Sequence, residues 1–340
     1  MSHRVFWTSL TRRSDLRTVP FEMKQLPREE WATADYVLGQ VNVARGALAR
    51  VELDTGRMTE VVERDLVMGA LGVRFATLEA VGSWRDIPPS GQMELLTSAG
   101  LFGGLTSVSL MLPPLVSCEY LGHAIRDGKK VTMADFVPPA RMVTYDRPTI
   151  LCVGTSMSSG KTTAAKVIVR LLKEAGLKVV GCKLTGAARY RDVLRMRDAG
   201  ADAIFDFVDV GLPSSIVPSE EYETRLRHLL ALIQAELPDV VVAEAGASPL
   251  EPYNGDTVMR VLGDHARCIV LAASDPYAVV GVIKGFDRKP DIVSGIAAST
   301  AAGVALIEKL TGLTALNVLD PNAREPIWQL IKERISAPAS

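Results

Sequence analysis

Residues 148–183 read PTILCVGTSMSSGKTTAAKVIVRLLKEAGLKVVGCK. An apolar run at 149–153 enters a Gly/Ser-rich turn, then Gly160-Lys161-Thr162-Thr163, then an amphipathic run, then a second apolar run at 179–182. The order is strand, phosphate loop, helix, strand. Small residues let backbone N–H groups face phosphate oxygens, a lysine reaches the outer phosphates, and a Ser/Thr hydroxyl binds Mg²⁺. The N-terminus of the helix that follows adds its positive end. Gly154, Thr155, Ser156, Ser158, Ser159, Gly160, Lys161, Thr162 and Thr163 are therefore the expected nucleotide-binding loop. Lys161 supplies charge to the phosphates, and Thr162 a ligand to Mg²⁺.

Working outward, the segment starts a half that alternates strand and helix, the mark of an α/β domain with a parallel sheet. Helices are expected at 161–175 (stopped by Gly176), 189–199, 219–237 (capped by Ser219), 299–310 and 325–335. Further strands are expected at 239–243, 268–273, 292–296 and 315–319. Pro138, Pro139 and Pro148 mark a linker, which divides the chain into residues 1–145 and 146–340. The first half reads as β-rich. Residues 4–9 suit a first strand, and 36–43 and 47–53 are short runs rich in Val, Leu and Ala. Asp54-Thr55-Gly56-Arg57 gives turn chemistry before 58–62, and Gly69 and Gly72 oppose a long helix over 66–75. A small antiparallel sheet or partial barrel is expected. The glycine steps at Gly100, Gly103 and Gly104 read as a tight packing turn, with close approach to a ligand as the other reading. Gly128-Lys129-Lys130 reads as a solvated turn.

Composition narrows the function. The chain has 340 residues, 48% hydrophobic and 23% charged, with a formal net charge of -1, so no bulk field favours nucleic acid or an anionic membrane. The four cysteines, at 118, 152, 182 and 268, show no zinc-ligand spacing. Two of them fall in expected buried strands, as free thiols in a reducing compartment do. The start, MSHRVFWTSLTRRSD, lacks the apolar core of a signal peptide, and no uncharged run reaches the roughly 18 residues of a membrane span. These features place the expected protein in the cytoplasm, away from membranes.

Mg²⁺ needs one or two further carboxylates. Glu244 ends the apolar run 240–243 and opens Ala245-Gly246-Ala247-Ser248, at the carboxyl end of a parallel strand, where ligands bind in such sheets. The bland alternative is a solvated strand-end acid. Lys183 ends the second strand beside the loop. Asp192 and Asp198 lie on a charged helix. Either is a second Mg²⁺ ligand or a base, or pairs with neighbours such as Arg195. The arginines there suit a substrate carboxylate or phosphate. Ser274-Asp275-Pro276 borders the site, and 291–300 lies where nucleotide enzymes read the base. No Asn-Lys-x-Asp motif supports a GTP switch.

Two resemblances follow from these residues. The loop resembles that of dethiobiotin synthetase, Gly-Thr-Asp-x-x-x-Gly-Lys-Thr, through Gly154, Thr155, Gly160, Lys161 and Thr162, with Ser156 in place of the Asp. That family has a strand ending Glu-Gly-Ala-Gly, similar to the strand at Glu244. It also has a lysine facing substrate and phosphate, which the flank GLKVVGCK matches at Lys183. The resemblance implies an ATP- and Mg²⁺-dependent enzyme that phosphorylates or activates a small carboxylate or amine, such as an amino acid. Lys161, Lys183 and Glu244 would be catalytic, and Thr162, Glu244 and Asp192 would be at the metal.

The stretch Glu244-Ala-Gly-Ala-Ser248-Pro-Leu250-Glu-Pro252-Tyr-Asn-Gly255 also resembles the DgcN, or D-glutamate N-acetyltransferase, family. Its pattern there is Glu-Gly-Gln-Gly-Ser-Leu-Leu-His-Pro-(x)-Tyr-Ser-Gly. This likeness covers mainly residues 148–320 and implies an N-acyltransferase whose loop holds the phosphates of acetyl-coenzyme A. The Gln is replaced by Gly246 or Ala247, the His by Glu251, and one residue before Tyr253 is missing. Those departures bear on the acyl-transfer chemistry and leave the nucleotide-type fold untouched. A third reading is an NTP-driven binding or assembly protein, opposed by the absence of a second lysine inside the loop. Related P-loop enzymes often dimerise, so the resemblance implies a homo-oligomer.

Overall fold

The computed structural model describes residues 4–43, 49–141, 143–286 and 288–336. The chain forms two units. One holds Met1–Pro139 with two later stretches, Ala187–Arg191 and Phe207–Ile216. The other holds Ala140–Gly186, Asp192–Asp206 and Val217–Ser340.

The first unit is built from short strands: β1 (Val5–Trp7), β2 (Glu22–Lys24), β3 (Tyr36–Val43), β4 (Arg50–Glu52), β5 (Met58–Glu60), β6 (Leu66–Leu71), β7 (Val73–Phe75), β8 (Ala80–Ser83), β9 (Gln92–Thr97), β10 (Leu101–Val108), β11 (Ser117–Arg126) and β12 (Lys129–Lys130). Strands β6, β3, β11, β9 and β10 pair antiparallel in that order, and β10 then pairs with β6 in parallel. The sheet closes on itself, which removes exposed edges from the ring. Its core holds Val37, Val41, Val67, Leu71, Met93, Leu95, Phe102 and Cys118. Gly39 packs closely there: a Cβ would stand 2.7 Å from Met93 Cε and 3.1 Å from Cys118 Cβ. The stretch 98–100 is a tight turn between β9 and β10, with Gly100 at φ 92. Strands β4 and β5 form their own hairpin around Gly56, at φ 83. The expected strand at 47–53 thus reduces to Arg50–Glu52, and residues 47 and 48 lie outside the described residues.

The second unit is a six-stranded parallel sheet. Its strands are β13 (Thr149–Gly154), β14 (Val179–Thr185), β15 (Ala203–Asp206), β16 (Val240–Ala245), β17 (Ala266–Ala272) and β18 (Ile292–Ser294), in the order β15-β14-β16-β13-β17-β18. The helices are α1 (Lys161–Glu174), α2 (Tyr190–Asp198), α3 (Ser219–Ala235), α4 (Gly255–Leu262), α5 (Pro276–Gly285), α6 (Ala301–Thr311) and α7 (Arg324–Ser336). Alternate strand residues Ile150, Cys152, Val240, Val242, Cys268 and Val270 bury against Ala164, Ala165, Ile168, Leu171 and Leu172 of α1. Both periodicities are visible in that contact, two along the strands and three or four along the helix. All four cysteines are buried and free, and burial pushes the Cys118 and Cys268 thiols up to about 12.

Some local readings change. Residues 315–319 form no strand: Ala315 makes one bridge to Val293, and then Asn317 turns the chain by accepting from Leu319 N and Asp320 N. Ser219 does not cap α3. Pro218 holds the cap position, and the Ser219 hydroxyl donates to Asn254 Oδ1 at 3.0 Å. α6 starts at Ala301 because Thr300 caps it by accepting from Gly303 N. Among the described residues no helix is long and apolar enough to cross a membrane.

Candidate functional site

The order of strands places β13 between β16 and β17, while the chain leaves β13 for β14 on the far side of β16. The sheet order reverses here, and such a point opens a crevice at the carboxyl ends of the strands. The loop between β13 and α1 lies at that end. Gly154 is the last residue of β13, and a Cβ there would stand 2.4 Å from Ser159 Oγ and 2.7 Å from Lys161 Cδ. Gly160 precedes α1 at φ 111, a conformation that favours glycine. Ser159 Oγ donates to Ser156 O at 3.0 Å and closes the loop on itself. Lys161 is 2% exposed, and its Nζ donates to Ser156 O at 2.5 Å and Met157 O at 3.3 Å. The lysine head is thus curled across the loop's own carbonyls, in the space that loop and helix N-terminus enclose.

Thr155 has another task. Its hydroxyl accepts from Ser274 N at 3.0 Å and lies 3.2 Å from Ser274 Oγ, while its own N–H donates to Ala272 O at 3.1 Å. It ties the loop to the end of β17. Ser158 is exposed, and Thr162 and Thr163 are half-buried in the first turn of α1.

A charged cluster lies beside this loop. Glu244, near the end of β16, is in register with Cys152 on β13 and Lys183 on β14. It is 2% exposed, and its Oε2 has no hydrogen-bond partner. Burial pushes its carboxyl above the ordinary range, and Asp192 pushes the same way. Lys183, Lys161 and a hydrogen bond with Thr162 oppose them. Lys161 is drawn below its ordinary value by burial, with Glu244 opposing. Lys183 Nζ lies 2.7 Å from Asp192 Oδ2. Asp192 therefore pairs with the strand lysine, whereas Asp198 is exposed at the end of α2.

The structure brings Lys161, Thr162, Lys183, Asp192 and Glu244 together as one group. Reading the sequence missed what makes room for it. A Cβ on Gly246 would stand 2.6 Å from Lys183 Cε, and one on Gly186 3.2 Å from it. Glu251 was also missed. It accepts from Ser248 N at 2.8 Å and acts on Lys161 through charge. Gly295 is a third, at φ 88, where a Cβ would stand 2.4 Å from Ser159 O. The isolated glycines at strand ends were the available signal, since each marks a close backbone approach.

Strand, glycine-flanked loop, buried lysine and helix on a parallel sheet give the second unit the arrangement of a phosphate loop on an α/β fold. No family model and no curated protein matches the chain. Solved structures do. Chloroplast FtsY from Physcomitrella patens is 14% identical over 57% of this chain and 68% of its own, at a TM-score of 0.36. HypB from Helicobacter pylori, solved in complex with nickel, is 15% identical over 56% and 87%, at 0.38. A DUF1611 family protein from Anabaena variabilis is 13% identical over 62% of this chain and 65% of its own, at 0.40.

Proposed function

We propose that the chain is an ATP- and Mg²⁺-dependent enzyme that activates or phosphorylates a small carboxylate or amine, in the manner of a ligase. The observation that carries this reading is Glu244, a carboxylate with a fully buried, unpartnered oxygen beside Thr162 and two lysines. A bare oxygen in such a place is costly unless a ligand satisfies it. A threonine hydroxyl and a carboxylate are hard oxygen donors, the kind that Mg²⁺ takes alongside phosphate oxygens and water. The donor set fits the ion. Among the described residues no group of three or more His, Cys, Asp or Glu side chains is placed to hold a metal, so no all-protein cage competes with this reading.

In this reading the backbone from Gly154 to Thr163 would cradle the phosphates, Lys161 Nζ would turn from the loop carbonyls to phosphate oxygens, and Thr162 and Glu244 would hold Mg²⁺. Asp192, paired with Lys183, would be the further acid near the metal. When bound, Mg²⁺ neutralises phosphate charge. Lys183 stabilises charge on the group in transfer, the kind of electrostatic positioning that drives phosphoryl transfer. The resemblance to dethiobiotin synthetase at Lys183 and Glu244 supports the carboxylate or amine acceptor.

Calorimetric titration with ATP·Mg²⁺, GTP·Mg²⁺ and acetyl-coenzyme A, on the wild type and on Lys161→Ala, tests the reading. ATP binding that is lost in the variant is expected, followed by ADP formation in ³¹P spectra when an accepted carboxylate or amine is supplied. Binding of acetyl-coenzyme A without ATP would overturn the reading in favour of acyl transfer. Nucleotide hydrolysis that no small acceptor changes would favour an assembly protein.

A further inference from the structure

The first unit carries an open pocket of about 360 Å³, a size suited to a small ligand. Leu26, Arg28, Trp31, Pro88, Glu119 and Tyr120 are among its walls. Its chemistry is set by Arg28. The guanidinium lies over the Trp31 ring, 4.4 Å from the centroid, with the Trp84 ring at 5.8 Å, and it donates to Trp84 O at 2.5 Å. Stacking on the indole fixes the plane of a group with five N–H donors. Asp86 acts on this guanidinium through charge and Glu119 lines the same pocket, so the anion that suits the wall is one that meets the planar fork directly, which a carboxylate does best.

The Tyr120 side of the pocket is fixed from behind. Tyr120 Oη lies 2.5 Å from His123 Nδ1, and His123 is wholly buried. His123 Nε2 is 3.3 Å from Asp35 Oδ2, which accepts from Lys130 Nζ and Ala32 N, each at 2.7 Å. Trp31 Nε1 donates to Leu26 O at 3.0 Å, and Leu26 N donates to Tyr120 Oη at 3.3 Å. Trp31 and Tyr120 stand 4.4 Å apart between centroids. Apolar side chains would fill this volume without the desolvation cost of a buried Tyr–His–Asp–Lys chain. What the chain provides is a wall with one orientation, as a binding site needs.

We propose that this pocket binds a small carboxylate with a flat apolar body. Its carboxylate meets Arg28, and its body packs on Trp31 and Tyr120. The inference is independent of the nucleotide loop. The test titrates the intact protein with benzoate, 3-phenylpropionate and indole-3-acetate, and with the amide of each acid, at concentrations up to the millimolar range. Binding is followed by tryptophan fluorescence and calorimetry. At least one acid is expected to bind, with its amide roughly 10-fold weaker or worse. Arg28→Gln should weaken the acid about 10- to 100-fold, in line with a charge-assisted pair. Arg28→Lys, which keeps the charge and loses the fork, should fall between. Lys161→Ala should bind as the wild type does, which separates this site from the phosphate loop. Thermal melts show whether the Arg28 variants remain folded, and Arg28→Lys carries the test if Arg28→Gln does not. Equal binding of acid and amide, wild-type affinity in a folded Arg28 variant, loss of binding in Lys161→Ala, or no binding by any acid would overturn the proposal.

Discussion

Glu244 shows at the scale of one residue how a candidate site position is legible in sequence and costs stability. Its carboxyl is raised first by burial and then by Asp192. In the pH range below the unfolded carboxylate value the group is neutral in both states and costs nothing. As pH rises, the unfolded chain ionises first, so the fold loses stability until the raised folded value is passed, and the loss is complete above it. Glu244→Gln should therefore raise the melting temperature of the ligand-free protein at neutral pH, by an amount that shrinks towards pH 4. It should also weaken ATP·Mg²⁺ by roughly 10-fold or more. Paired calorimetric melts and titrations check both signs, and a variant that is less stable at neutral pH contradicts the burial account. Gly160 offers a second test. An alanine there must adopt φ near 111. Gly160→Ala should cost about 1–2 kcal/mol of stability, read from urea unfolding. That Lys161, Thr162 and Glu244 lie together at a loop and a strand end was legible because those positions are set locally. The partner of Asp192 was not, since the candidates in sequence lie one helical turn away and Lys183 lies on another element.

At the scale of elements, the phosphate loop is held by its neighbours as much as by its own hydrogen bonds. Thr155 belongs to the expected phosphate contacts, yet its hydroxyl accepts from Ser274 N and so joins the loop to the segment after β17. Thr155→Val keeps the shape and removes that acceptor, leaving the Ser274 N–H without it. A loss of about 1–2 kcal/mol is expected. Faster amide hydrogen exchange in 155–160 than in α1 should accompany it; unchanged exchange in the loop would show that the tie is incidental. Helix α1 and strands β13, β14 and β16 were legible from apolar period and glycine punctuation. Strand β15 and helices α4 and α5 were not. The first is short and only half-buried along most of its length. α5 did carry a signal, Asp275 before Pro276, and Asp275 does cap it by accepting from Tyr277 N and Ala278 N. The even apolar content of 276–285 hid its helical face.

At the scale of the whole molecule, what the sequence left open is non-local pairing. A β-rich first half was legible from turns and short apolar runs. Closure of the ring by β10 on β6 was not, because nothing in either strand names its partner. Nor is the first unit continuous in sequence, since Ala187–Arg191 and Phe207–Ile216 belong to it. The physical reason is visible at Glu52. This carboxylate is fully buried and accepts from Ser9 Oγ at 2.5 Å, Tyr190 N at 2.7 Å and Arg191 N at 3.0 Å. Two of those three donors come from the later stretch. A fragment ending at Pro139 would keep Glu52 and lose both backbone donors, as well as the Asp209 carboxylate that pairs with Arg12 at 3.1 Å. Breaking a buried charged network by removing one side is far more costly than never having built it. The fragment 1–139 should therefore melt well below the full chain or fail to fold. Glu52→Gln in the fragment should recover part of the loss by removing the uncompensated charge. In the full chain the same substitution should destabilise, because it replaces charge-assisted bonds by weaker ones. Opposite signs for one substitution in two contexts, read by circular dichroism melts, are the expected result. The same sign in both would mean that the later stretches contribute no more to the first unit than their surface.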